Sequence, residues 1–96
     1  MNTTANTPRL SFISPNPNVR YDRDEKLTVT IQYSGTNPLS KVDFYLNEKF
    51  VGSSTGNTFS FTPRPYEKIN EDNKLRAIVT DTAQKITEGT VRLKLE

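Results

Sequence analysis

The residues that could do chemistry in this chain are few, and their absences are as telling as their presence. There is no histidine, cysteine or tryptophan among the 96 residues. General acid–base work near neutral pH therefore falls to carboxylates, and no thiolate or imidazole is present to hold a metal ion. The densest carboxylate group is Asp22, Asp24 and Glu25, interleaved with Arg20, Arg23 and Lys26. That mixture reads as a mutually screened, solvated surface rather than a paired-carboxylate cleft. Serine and threonine are plentiful, but a hydroxyl without an adjacent base is not an activated nucleophile. The sequence predicts no catalytic residue.

Calcium is the cofactor that needs the most careful exclusion, because it asks only for oxygen. Asp22, Asp24, Glu25 and Asp81 are the donors on offer. Their spacing matches no dedicated calcium loop, and no glycine stands where the sharp turn would be. The expectation is no metal and no cofactor. Lysine–asparagine cross-linking needs a lysine on an apolar face, and no lysine interrupts one. What remains is recognition by aromatic rings, which offer a flat apolar surface with a polar tip. Tyr45 falls on the outward side of its segment, Phe50 starts a return strand, and Tyr21 and Tyr66 fall between strands. Tyr45, Phe50, Tyr66 and Tyr21 are the candidate interaction surface. A packing role for Phe50 and Tyr45 is the competing reading.

These side chains are positioned by short extended segments. Strict alternation marks Lys26–Tyr33, with Leu27, Val29, Ile31 and Tyr33 on one face. Lys41–Asn47 turns Val42, Phe44 and Leu46 inward, and Asn47-Glu48 suits a two-residue hairpin. Further strands are expected over Arg9–Ile13, over a short return closed by Gly52, over Thr58–Thr62, over Leu75–Thr80 and over Ile86–Leu95. Gly52–Asn57 reads as a flexible link, Val19–Glu25 as a polar bridge and Tyr66–Asn73 as a crossing loop. No segment keeps a helical period. Seven strands separated by turn signals predict an all-β antiparallel sandwich over residues 9–96. Residues 1–8 are expected to be a flexible linker, being small and polar.

Length, charge and hydropathy agree with that frame. Only 32% of residues are hydrophobic and the mean hydropathy is −0.70, which a sandwich tolerates because only alternate side chains face the core. The net charge is +2, from 13 basic and 11 acidic residues. They are interspersed, with no basic run to follow a phosphate backbone, so no nucleic-acid partner is expected. No apolar run is long enough to insert in a membrane. Met1 is followed by Asn2 and Thr3 rather than by a secretion signal. The chain reads as one domain of a longer protein, monomeric in isolation.

Three motifs resemble a known family. Val42-Asp43-Phe44-Tyr45-Leu46-Asn47-Glu48-Lys49-Phe50-Val51-Gly52 is similar to the V-x-F-Y-L-N/D-x-x-x-I/V-G hairpin of bacterial immunoglobulin-like domains. Leu75-Arg76-Ala77-Ile78-Val79-Thr80-Asp81-Thr82-Ala83 resembles their L-x-A-x-A-x-D-x-x-G-N strand and turn. Phe12-Ile13-Ser14-Pro15 resembles their opening strand. One departure stands out: Gln84-Lys85 occupies the place of the usual Gly-Asn. The resemblance spans roughly residues 9–95. It implies an immunoglobulin-like or fibronectin-III-like sandwich and a non-catalytic accessory role in an exported bacterial protein, hence an extracytoplasmic location. It also suggests a parent, a bifunctional penicillin-binding protein that builds peptidoglycan, with a protein or cell-wall glycan as partner. A carbohydrate-binding module of a secreted glycan-degrading enzyme, and one repeat of an adhesin, are the alternatives.

Overall fold

A computed structural model describes residues 8–64 and 72–95. The strands are β1 (Arg9–Ser14), β2 (Arg20–Tyr21), β3 (Leu27–Ser34), β4 (Leu39–Leu46), β5 (Lys49–Ser54), β6 (Thr58–Phe61), β7 (Asp72–Asp81) and β8 (Ile86–Leu95). They form two sheets, a three-stranded one in the order β1-β3-β6 and a five-stranded one in the order β2-β8-β7-β4-β5. Every pairing is antiparallel except β2 with β8.

The alternation that marks the strands in sequence is what closes the core. Leu27, Val29 and Ile31 of β3 face Val42, Phe44 and Leu46 of β4, Leu75, Ala77 and Val79 of β7, and Leu93 and Leu95 of β8, all buried. Leu10, Phe12, Phe59 and Val91 are half-buried against the same cluster. Removing a large apolar side chain of this kind from water stabilises the fold by about 1.5–3 kcal/mol. Phe44 and Phe59 stack across the sheets with ring centroids 4.8 Å apart and planes 9° from parallel.

Four expectations are corrected. Among the described residues there are eight strands rather than seven, because Arg20–Tyr21, inside the expected polar bridge, pairs in parallel with Lys94–Leu95. Two residues carry no readable period, and their partner lies at the far end of the chain. β5 does not close at Gly52: it runs on to Ser54, with Gly52 opposite Phe44, Ser53 opposite Asp43 and Ser54 opposite Val42. Asn73 is not in a loop but in β7, buried, where its amide oxygen accepts a 2.7 Å hydrogen bond from Asn47 Nδ2. Tyr21 is in a strand, not a loop. The arm 1–7 and most of the expected crossing loop, Tyr66 included, lie outside the described residues.

The two hairpins show how turns form here without glycine. Asn47 and Glu48 both take left-handed backbone angles, φ 55° and 68°. That is the pattern of a two-residue turn matched to strand twist. Asn47 can hold it because its Oδ1 accepts from Lys74 N–H at 3.0 Å and its own N–H donates to Lys74 O at 2.8 Å. At the β7–β8 turn Gln84 takes φ 69°, the conformation that a glycine would otherwise supply. Asp81, buried, fixes this turn through its Oδ1, which accepts from Ala83 N–H at 2.8 Å and Lys85 N–H at 2.9 Å.

Candidate functional site

The two-residue hairpin decides what the outer face of the five-stranded sheet displays. Leu46 is opposite Lys49, so Tyr45 is opposite Phe50, on the face away from the core. Tyr45 is in turn opposite Arg76 on β7, and Arg76 opposite Thr90 on β8. One row across the sheet therefore reads Phe50, Tyr45, Arg76, Thr90. Past this row the β4–β5 register shifts, Phe44 pairing with Gly52. The extra residue, Val51, keeps Phe50 outward and Gly52 inward on the same short strand.

Phe50 is 54% exposed and lies at the free edge of the sheet. Its ring meets Tyr45 edge-on, with centroids 5.5 Å apart and planes at 66°. On the other side of Tyr45 the Arg76 guanidinium carbon is 5.4 Å from the ring centroid, a cation–π distance. Glu48 from the hairpin and Glu88 from β8 hold that guanidinium, at 3.0 Å and 3.5 Å. Glu48 also lies 3.9 Å from Lys74 Nζ. Arg76 Nε is buried and has no hydrogen-bond partner. These ion pairs are half-exposed and stabilise little on their own, about 0–1 kcal/mol each. Their effect is positional, fixing the guanidinium plane behind Tyr45.

Of the aromatic candidates, the structure brings Tyr45 and Phe50 together and separates Tyr21 from them. Tyr21 is at the opposite edge of the same sheet, half-buried against the core, and its hydroxyl accepts a 2.8 Å hydrogen bond from Asn16 N–H. It is a packing residue. Tyr66 lies outside the described residues. Phe50 does not take the core place that the competing reading gave it. Arg76, Glu48 and Glu88 join the site without having been singled out in the sequence. The signal that could have found Arg76 is its outward position on β7, but the register with β4 is needed to put it beside Tyr45.

Three of the four carboxylates weighed for catalysis and calcium, Asp22, Asp24 and Asp81, have structural occupations. Asp22 Oδ1 accepts from Asp24 N–H at 2.8 Å, a local turn. Asp24 is gripped by Arg64 through both carboxylate oxygens, Nη2 to Oδ2 at 2.8 Å and Nε to Oδ1. That hydrogen bonding, with the nearby charges of Arg64 and Arg23, holds the Asp24 carboxyl below its ordinary 3.8, against a smaller opposing effect of desolvation. Asp81 is committed to its turn. Among the described residues no group of three His, Cys, Asp or Glu side chains is placed to hold a metal ion. No described helix is long and apolar enough to cross a membrane.

The arrangement offers an aromatic pair beside a cluster of paired charges on the outer face of the sheet. Comparison with known proteins bears on the fold. In three dimensions the chain is similar to the fibronectin(III)-like modules of Clostridium thermocellum CbhA, with a TM-score of 0.76 over 93% of this chain and 19% sequence identity. It spans 46% of that chain's length. No curated protein matches it in sequence. Domains of these two kinds are typically non-catalytic and are often extracellular. The model of the bacterial Ig domain matches residues 8–94, nearly the whole chain, and the chain belongs to that family.

Proposed function

We propose that this domain is a non-catalytic accessory module of an exported bacterial envelope protein. It meets cell-wall glycan or an envelope protein through the Tyr45–Phe50 face of its five-stranded sheet, and otherwise acts as a monomeric spacer. The observation that carries the reading is the ring of Phe50, 54% exposed at a sheet edge and supported edge-on by Tyr45. An exposed ring can serve recognition because it brings a large apolar contact area. The parent is a peptidoglycan-synthesising penicillin-binding protein on the resemblance of the three motifs alone, and the extracytoplasmic location goes with it. A second reading, a carbohydrate-binding module of a secreted glycan-degrading enzyme, draws on the same ring, since a flat aromatic surface suits a sugar ring.

The test is retention of the purified domain on isolated cell-wall sacculi, with crosslinking to envelope proteins run in parallel. Retention or a crosslinked partner, weakened by Phe50→Ala, is the expected result. A domain that binds neither leaves only the spacer role and refutes the contact face. A catalytic transglycosylase next to this domain in its parent supports the first reading, and a glycosidase the second.

A further inference from the structure

A second site lies on the other sheet, where β6 stops short. β3 pairs with β6 only as far as Thr30 opposite Thr58. One more bond continues the ladder, Ile31 N–H to Asn57 O at 2.9 Å. β3 itself runs on to Ser34. Backbone groups of a strand alternate in direction, so Tyr33 turns its N–H and C=O the same way as Ile31, past the end of β6. The space beside them is a cleft of about 710 Å³ walled by the end of β3, the β3–β4 turn and the β5–β6 turn. That volume is in the range of small-ligand sites, about 300–1,000 Å³.

Three properties of the cleft fix the class of ligand. No lining residue is charged, although a quarter of the chain is Asp, Glu, Lys or Arg. Gln32, Asn37 and Asn57 are among its lining residues, and a side-chain amide can both donate and accept. Ile13, 61% exposed at the β1 bulge, and Leu39 give it apolar patches. The Tyr33 hydroxyl, buried, has no hydrogen-bond partner. It lies under the turn at Gly35, 2.8 Å from where a Cβ on that residue would be.

We propose that this cleft binds a neutral oligosaccharide. Amides and the open Tyr33 backbone groups match vicinal hydroxyls, the apolar patches match the C–H face of a pyranose, and the missing charges disfavour uronic acids and phosphates. An extended peptide is less well served, because strand addition needs a run of open backbone groups and only Tyr33 presents them here. As the turn at 35–37 shifts aside, the Tyr33 hydroxyl gains the partner it lacks in the free domain. The cleft is separate from the Tyr45–Phe50 face and does not rest on that reading.

The experiment is an amide-resolved NMR titration of the whole 96-residue chain with chitotetraose and with cellotetraose, using tetragalacturonate as the charged control and a Ser/Thr-rich peptide as the extended one. Saturating shifts confined to Gln32–Asn37 and Thr55–Asn57 are expected with at least one neutral tetrasaccharide. Tyr33→Phe and Asn57→Ala should each weaken that binding about tenfold, a loss of the size that follows removal of one polar partner. Tyr33→Phe should leave the melting temperature unchanged or higher, since the hydroxyl has no partner to lose. Phe50→Ala should leave the titration unchanged. Absence of saturating shifts there by about 10 mM, where affinity is negligible, overturns the proposal. So do tighter binding of tetragalacturonate or of the peptide, and binding indifferent to both cleft variants.

Discussion

Replacing Gly52 by alanine tests a close approach between the two sheets. Gly52 does not need left-handed backbone space, since no glycine in the described chain has positive φ. Any cost of the substitution must come from contact. A Cβ on Gly52 would lie 2.5 Å from Phe59 Cζ and 2.9 Å from Cε1, whereas carbons pack at about 3.5–4.0 Å. The ring must retreat by about 1 Å, out of its stack with Phe44 and away from Phe61, 5.9 Å off. Overpacking of this kind costs about 1–3 kcal/mol, and the disturbed aromatic pair is part of that cost. Against it, alanine restricts the unfolded chain and returns about 0.4–1 kcal/mol. The net expectation is a loss of about 1–2 kcal/mol, which in a domain of this size lowers Tm by about 4–16 °C.

The assay is urea unfolding of Gly52→Ala, Phe59→Leu and the double variant. Leucine ends before the position of Cζ, so in the Phe59→Leu background the alanine should cost under about 0.5 kcal/mol. The coupling between the two sites should then reach about 1 kcal/mol, well beyond the 0.3–0.5 kcal/mol scatter of independent sites. Additive effects, or a Gly52→Ala variant as stable as the parent, would refute the reasoning.

Asp81→Ala removes the acceptor of two turn N–H groups and should cost about 1–2 kcal/mol. Asp81→Asn keeps an oxygen in place and should cost less, both read by thermal melting. Gln84→Gly should raise stability by up to about 1 kcal/mol by relieving the left-handed strain at φ 69°; a lower Tm contradicts that account of the turn. The Asp24–Arg64 pair predicts a pH effect of definite sign. Because the folded Asp24 lies below its ordinary 3.8, its contribution is full above that value and is lost as pH falls through the lower folded value. The unfolding midpoint of Arg64→Ala should therefore approach that of the parent in strong acid, and an unchanged gap from neutral pH to below 3.8 contradicts it. Phe50→Thr should keep the fold, with a stability change within about 1 kcal/mol for so exposed a side chain, while contact with sacculi or partner falls.

How much was legible in the sequence depended on distance along the chain. The period of two in Leu27–Tyr33 and Val42–Leu46 is local, and it gave both the strands and their buried faces. The Asn47-Glu48 turn is local too, and with it the meeting of Tyr45 and Phe50. What stayed hidden required partners far away. β2 is two residues long and exists only because the end of β8 lies beside it. Gly52 looked like the end of a strand, yet it is a strand residue whose side-chain space Phe59 fills. Arg76 looked like one more surface charge until the β4–β7 register set it against Tyr45. The uncharged cleft is a comparable case, since it depends on β6 being shorter than β3.

The exposure of Phe50 is not something the fold could remove by adjusting its register. Sliding β5 by one residue would bring Phe50 inward, but it would also break the two-residue turn that Asn47 ties to Lys74 and lose the pairing of Gly52 with Phe44. The outward parity at that position is therefore fixed by the hairpin. The aromatic identity is not, because the sheet needs a side chain there and a threonine or lysine would serve. Either would also blunt the free edge against pairing with another chain, which an exposed ring at the edge does not. The packing of this domain accounts for where residue 50 points and gives its ring one edge-on neighbour, Tyr45; the rest of the ring stays exposed, and that is the surface on which the proposed contact depends.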